Sequence, residues 1–179
     1  MTRRGVLKAL SLAAGATLLC GHTPYGQWTV YRKKHLLIGC HKTDPRTYDL
    51  AKQVVAVLGE HLPAAKSRVA RAPTPGRLAS LLGTGQMDIC VLGWRDAQAM
   101  IAGQGQFKPY GALPLKLITP LGDRALIAHE KFRKRHAWLL AAALADSALP
   151  TGMIASELPA PPWHPGAKAF REGAPEPQA

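Results

Sequence analysis

The residues of this chain that could do chemistry gather in three short places: Cys40-His41-Lys42, Thr74, and Trp94-Arg95. A Cys beside a His raises nucleophilic catalysis, yet neighbours on a strand point to opposite faces and no third group activates the pair. The chain has no GxSxG, P-loop or HExxH pattern, and its cysteines and scattered histidines lack zinc-ligand spacing. Catalytic residues, a metal and a cofactor are therefore not expected, and the chain reads as a non-enzyme. The same residues suit binding better. Lys42 and Arg95 could hold a carboxylate by charge-assisted hydrogen bonds, and a Trp directly after a strand is placed to cover a ligand. Each also has a plain structural role. Cys40 reads as a small apolar strand residue, His41 and Lys42 as solvated loop residues, and Trp94 as packing.

The elements that must position them alternate. Leu36-Leu37-Ile38-Gly39-Cys40 is a short unbroken apolar run, as expected of a strand buried on both faces. From Tyr48 to Leu62, residues Leu50, Val54, Val57, Leu58 and Leu62 recur at steps of about three to four, one helical stripe that Pro63 ends. Ser67 to Ala72 reads as a strand, and Thr74-Pro75 opens a helix with Thr as N-cap and Pro as first residue. Asp88 to Leu92 is a further buried strand and Asp96 to Ile101 a further helix. Two strands, Leu115–Leu121 and Ala125–His129, and an Ala/Leu-rich helix, 136–145, follow the loop at 103–110. This alternation predicts an α/β fold: one three-layer domain with a mostly parallel sheet and a 2-1-3 core order.

Open α/β sheets take ligands beyond the carboxyl ends of their strands, where chain order reverses and helix N-termini offer unpaired N–H groups. With order 2-1-3 the rule selects 40–44, 72–76 and 93–96. Cys40, His41, Lys42, Thr74, Trp94 and Arg95 would then rim one cleft.

At 179 residues, 47% hydrophobic and 19% charged, the chain is sized for one core. Its formal charge of +12 favours acidic partners. The cations are spread from Arg32 to Arg171 and only 6% of residues are aromatic, which argues against nucleic acid. Thr2-Arg3-Arg4-Gly5-Val6-Leu7-Lys8 precedes a charge-free apolar run, Ala9–Cys20, too short for a typical membrane span. Residues 1–26 read as an export signal of twin-arginine type, with an ordinary secretory signal or an uncleaved anchor as alternatives, so the expected location is the periplasm. Leu18-Leu19-Cys20-Gly21 is a poor lipidation motif. The domain is expected over 27–173, with a disordered tail at 174–179.

Longer stretches carry a resemblance. "LLIGCHKTDPRTYDLA", "APTPGRLASLLGTGQMDICVLGWRDAQAMIAGQGQF" and "PWHPGAKAFREG" together resemble the type II periplasmic solute-binding proteins, in particular the TAXI receptors of tripartite ATP-independent (TRAP) transporters. The resemblance implies transport, a type II periplasmic-binding fold shortened to about one lobe, and Thr74 and Tyr48 as ligand contacts. It implies a small anionic solute, a carboxylate or amino acid, and a membrane transporter as partner. It also assigns the closing HPGA segment to the domain's last helix, with Phe170 docked on the core. The family's glycines after the first strand are replaced here by Cys40 to Pro45, which stiffens that loop. With the second lobe missing, the alternative is a degenerate receptor lobe that binds an exported enzyme or a transporter subunit.

Overall fold

The computed structural model describes residues 34–152 and 160–178. The expectations for the export signal, Cys20 and its lipidation therefore lie outside the described residues. Five strands form one sheet: β1 (Leu37–His41), β2 (Arg68–Ala72), β3 (Ile89–Gly93), β4 (Leu115–Leu121) and β5 (Arg124–His129). Their spatial order is β2-β1-β3-β5-β4. β1 pairs in parallel with β2 and β3, while β5 runs antiparallel to both β3 and β4. Four strands thus share one direction, with the expected 2-1-3 core.

Helices α1 (Pro45–His61), α2 (Pro75–Gly83), α3 (Trp94–Ala102), α4 (Lys134–Ala145) and α5 (Pro165–Arg171) cover the sheet. Short 3-10 segments lie at Pro63–Ala65 and Gly105–Tyr110. Because parallel crossovers are right-handed, stepping from β1 one way to β2 and then back past β1 to β3 puts the two connecting helices on opposite faces. The core divides accordingly. Val54 and Leu58 of α1 and Leu140 and Leu144 of α4 meet Ile38, Val91 and Leu126 on one face. Leu78 and Leu82 of α2, Met100 of α3 and Phe107 meet Leu92, Ile127 and Leu117 on the other. Cys40 lies in the first cluster and Cys90 in the second, both as free thiols. Alternation along neighbouring strands thus sends the two sulfurs to opposite faces.

Helix starts follow the local chemistry. Asp44 caps α1 and Thr74 caps α2, each followed by Pro in the first turn, where a missing N–H costs nothing. α1 begins at Pro45, three residues before the apolar stripe, since capping rather than hydrophobicity sets the start.

The HPGA segment closes the domain. Trp163 bridges Leu117 of the edge strand β4, and fully buried His164 caps α5 by accepting the Gly166 N–H at Nδ1. That fixes the tautomer. Nε2–H then donates to the Phe132 carbonyl at 3.0 Å, joining α5 to the start of α4. A Cβ at Gly166 would run into the Lys134 carbonyl, so only glycine permits this approach. Phe170 packs on the first core cluster and meets Trp138 edge-on at 5.4 Å between centroids. In the stretch read as a tail, the Ala174 carbonyl accepts from the Trp138 indole and Glu176 pairs with Arg135 at 2.6 Å.

Burial pulls the His164 pKa below the ordinary histidine value, because an imidazolium there would lose hydration and the Gly166 bond. His136 is lowered in the same direction, chiefly by desolvation. The unfolded chain thus binds protons that the folded chain resists, and stability falls as pH drops below about 6.5. Asp88, raised by desolvation, works oppositely and nearer pH 4. Urea unfolding from pH 7.5 to 5 should show that decline, flattened in His164→Asn. His164→Ala should cost about 2–4 kcal/mol at pH 7.5, a lost cap plus an orphaned buried carbonyl.

Candidate functional site

Three strand exits, each turning into a loop or helix start, meet at one end of the sheet. The Lys42 N–H donates to the Ala72 carbonyl at 2.8 Å, stitching the exits of β1 and β2. His41, the last residue of β1, is 5% exposed. Its Nδ1 lies 2.7 Å from Thr43 Oγ1, and its Nε2 lies 3.8 Å from Asp96 Oδ2 in the first turn of α3. The β4–β5 turn joins from the side. Gly122, at φ 61°, supplies the positive φ of a two-residue hairpin, and its carbonyl accepts the Trp94 indole N–H at 3.0 Å.

Arg124 knits these pieces together. Its Nη2 meets Asp44 Oδ2 at 3.1 Å and its Nη1 meets Asp123 Oδ2 at 2.6 Å. The other Asp44 oxygen accepts the Arg46 N–H at 3.0 Å, so one carboxylate caps α1 and holds the hairpin. Two buried nitrogens here, Arg124 Nε and His41 Nε2, make no hydrogen bond.

The sequence-predicted residues separate into two groups. Lys42, Thr74 and Arg95 are exposed on the rim. Cys40 is fully buried, and His41 and Trp94 are nearly so. Trp94 packs among the core residues of the α2/α3 face. Desolvation pushes the Cys40 thiol up to about 11 and raises Cys90 further, so both are protonated at neutral pH and poor nucleophiles. Tyr48 is half-buried, with the Lys52 ammonium 4.7 Å and the Arg71 guanidinium 4.9 Å from its ring centre. The Thr74 hydroxyl accepts the Arg77 N–H as a cap, leaving its proton available.

Sequence reasoning missed Asp44, Asp96, Asp123, Arg124 and Tyr110. Tyr110 lies against Gly76 at the start of α2, where an added Cβ would be 2.7 Å from its hydroxyl, and it is 41% exposed. Asp44 before Pro45 carried a capping signal. Nothing local marked Arg124, whose role comes from strand pairing with Gly93.

Lys42, Arg46, Arg71, Arg77, Arg95 and Arg124 outnumber Asp44, Asp96 and Asp123 around this end, and α3 starts at Gly93 with no side-chain cap. Uncapped N–H groups and excess cations favour an anion. Among the described residues no cluster of three or more His, Cys, Asp or Glu could hold a metal, and no helix is long and apolar enough to cross a membrane. A separate cavity of about 340 Å³ lies over the far edge strand, lined by Ile118, Pro120, Ala141, Trp163, Phe170 and Arg171 among others. The Arg171 guanidinium stacks 3.9 Å from the Trp163 ring centre.

Fold and site together define a single α/β domain with an open, basic rim at the carboxyl ends of parallel strands. No protein-family model matches the chain, and no curated protein matches it.

Asp44→Ala removes a cap and an ion pair, whereas Thr74→Ala removes a cap alone. Denaturant unfolding should show Thr74→Ala costing about 1 kcal/mol and Asp44→Ala about 1–2 kcal/mol, with Asn at 44 restoring the cap but not the charge.

Proposed function

We propose that the chain is an exported, non-catalytic binding protein, a single lobe of the type II periplasmic receptor kind resembling the TAXI receptors, and that it binds a small anionic solute at the strand carboxyl ends. The observation that carries this reading is the parallel pairing of β1 with both β2 and β3. It gathers Lys42, Thr74 and Arg95 at one end together with the uncapped start of α3. Lys42 and Arg95 would supply charge and Thr74 a hydroxyl donor. Tyr110, exposed beside the α2 start, would add an apolar wall. The buried thiols, lacking thiolate character, speak against a cysteine-dependent reaction.

A second reading, a protein–protein module for an exported enzyme or transporter subunit, draws support from Trp94. Its indole is tied to Gly122 rather than free to cover a solute, which leaves the rim an open shelf. Thermal-shift screening against carboxylates, amino acids and inorganic oxyanions separates the two. The solute reading expects a rise in Tm with at least one anion at millimolar level, reduced in Lys42→Ala/Arg95→Ala. No shift with any of them, together with a stoichiometric partner on purification from periplasm, would favour the module.

A further inference from the structure

The cavity of about 340 Å³ over β4 is separate from the rim, since β5 stands between β4 and β3. Its walls follow from local features of three elements. On β4 the register slips: Leu117 pairs with Ile127 and Thr119 with Leu126, leaving Ile118 as the extra residue of a bulge. A bulge re-aims side chains locally, and the consecutive residues Ile118 and Thr119 both line the cavity. From α4 come Ala141 and Ala145, four apart on one helical face and too small to fill the space. Phe170 of α5 and Trp163, whose bridge to Leu117 covers the edge of β4, complete the enclosure.

The polar groups of this apolar enclosure have capacity to spare. Arg171, exposed at the mouth, is the one charged side chain among the described lining residues. The acids that follow it in sequence are committed elsewhere: Glu172 pairs with Lys168 at 3.7 Å and Glu176 with Arg135 at 2.6 Å. The Arg171 guanidinium, 3.9 Å from the Trp163 ring centre, lays its face on the indole and keeps its in-plane N–H donors free for an acceptor. Thr119 is 8% exposed, and its Oγ1 bond to the Pro120 carbonyl is 3.4 Å long, past the ordinary hydroxyl range.

We propose that this cavity binds a monocarboxylate with a short apolar chain: the carboxylate pairs with Arg171 at the mouth, and the chain lies between Ile118, Ala141 and Phe170. A planar guanidinium steadied by a ring suits the two oxygens of a carboxylate. A single cation among apolar walls offers no second anchor for a dianion. The volume stands at the small end of the roughly 300–1,000 Å³ typical of small-molecule sites, which suits an acid of about six to eight carbons. This site does not rest on the reading of the rim.

Calorimetric titration of the full chain with acetate, butyrate, hexanoate and octanoate at pH 7.5, with hexanol as neutral counterpart, tests this. Affinity should rise about threefold to fourfold per buried methylene from acetate to hexanoate. Hexanoate should bind about fivefold or more tighter than hexanol, and Arg171→Gln should remove that preference while leaving hexanol affinity unchanged. Ala145→Leu, which fills the space from the helix end, should weaken hexanoate about fivefold or more. Both substituted positions are exposed in the fold. In NMR spectra of the isotope-labelled chain, hexanoate should move the Trp163 indole N–H signal and leave in place that of Trp94, which is tied to Gly122. Equal binding of hexanoate and hexanol, unchanged hexanoate affinity in Arg171→Gln or in Ala145→Leu, or no binding of any acid at millimolar level overturns the proposal. If Lys42→Ala/Arg95→Ala abolishes hexanoate binding while Arg171→Gln does not, the acid sits on the rim and the cavity proposal falls alone.

Discussion

The parallel pairing of β1 on both its edges constrains the rest of the molecule. A strand flanked in parallel on each side needs two crossovers, and their fixed hand places α1 and α2 on opposite faces. Three strand exits then fall at one end. Because β1 is an interior strand, its residues are buried from both sides: Ile38 and Cys40 are fully buried. Its last residue, His41, is carried into the sheet end rather than out to solvent. The rim is a consequence of that burial, since polar groups the chain must place near the sheet can emerge only at the strand ends.

Charge at the rim is balanced through one residue. Arg124 stands on β5, the strand that runs against the others, so it starts where β1 and β3 finish. An antiparallel neighbour alone puts a strand beginning beside parallel strand exits. Asp44 and Asp123 reach it from α1 and from the hairpin, joining elements from separate parts of the chain. With these charges only partly exposed, the attraction is screened less than on an open surface, though the half-exposed Asp123 gains less than Asp44.

Much of this order was legible from the residues. Thr74-Pro75 announced the start of α2, and the unbroken apolar runs announced buried strands, because cap chemistry and two-sided burial are local. Leu115–Leu121 was read with the boundaries found. The expectation at Trp94 met a different environment: the residue follows a strand exit as read, but its ring turns inward and its N–H finds the Gly122 carbonyl, 28 positions along. That contact depends on the antiparallel direction of β5, which no local pattern encodes. Asp44 was visible as a loop residue before Pro45, while its ion pair with Arg124 was not, since pairing across 80 positions follows only from the sheet order.

The Gly122–Asp123 turn also shapes what the rim can hold. Two-lobed receptors enclose their ligand by hinge closure. Here β4 passes into β5 through two residues, so nothing inserted between them closes over the rim. On the reading proposed above, the affinity of a solute held by Lys42 and Arg95 draws on charge more than on buried apolar area. Such attraction weakens with salt. A macromolecular anion would shed more water by covering the shelf, bringing the exposed Tyr110 into contact. On the readings proposed above, a compact oxyanion and an acidic surface would both be held by the exposed Lys42 and Arg95. Either would meet the same exposed groups, since His41 Nε2 and Arg124 Nε are buried.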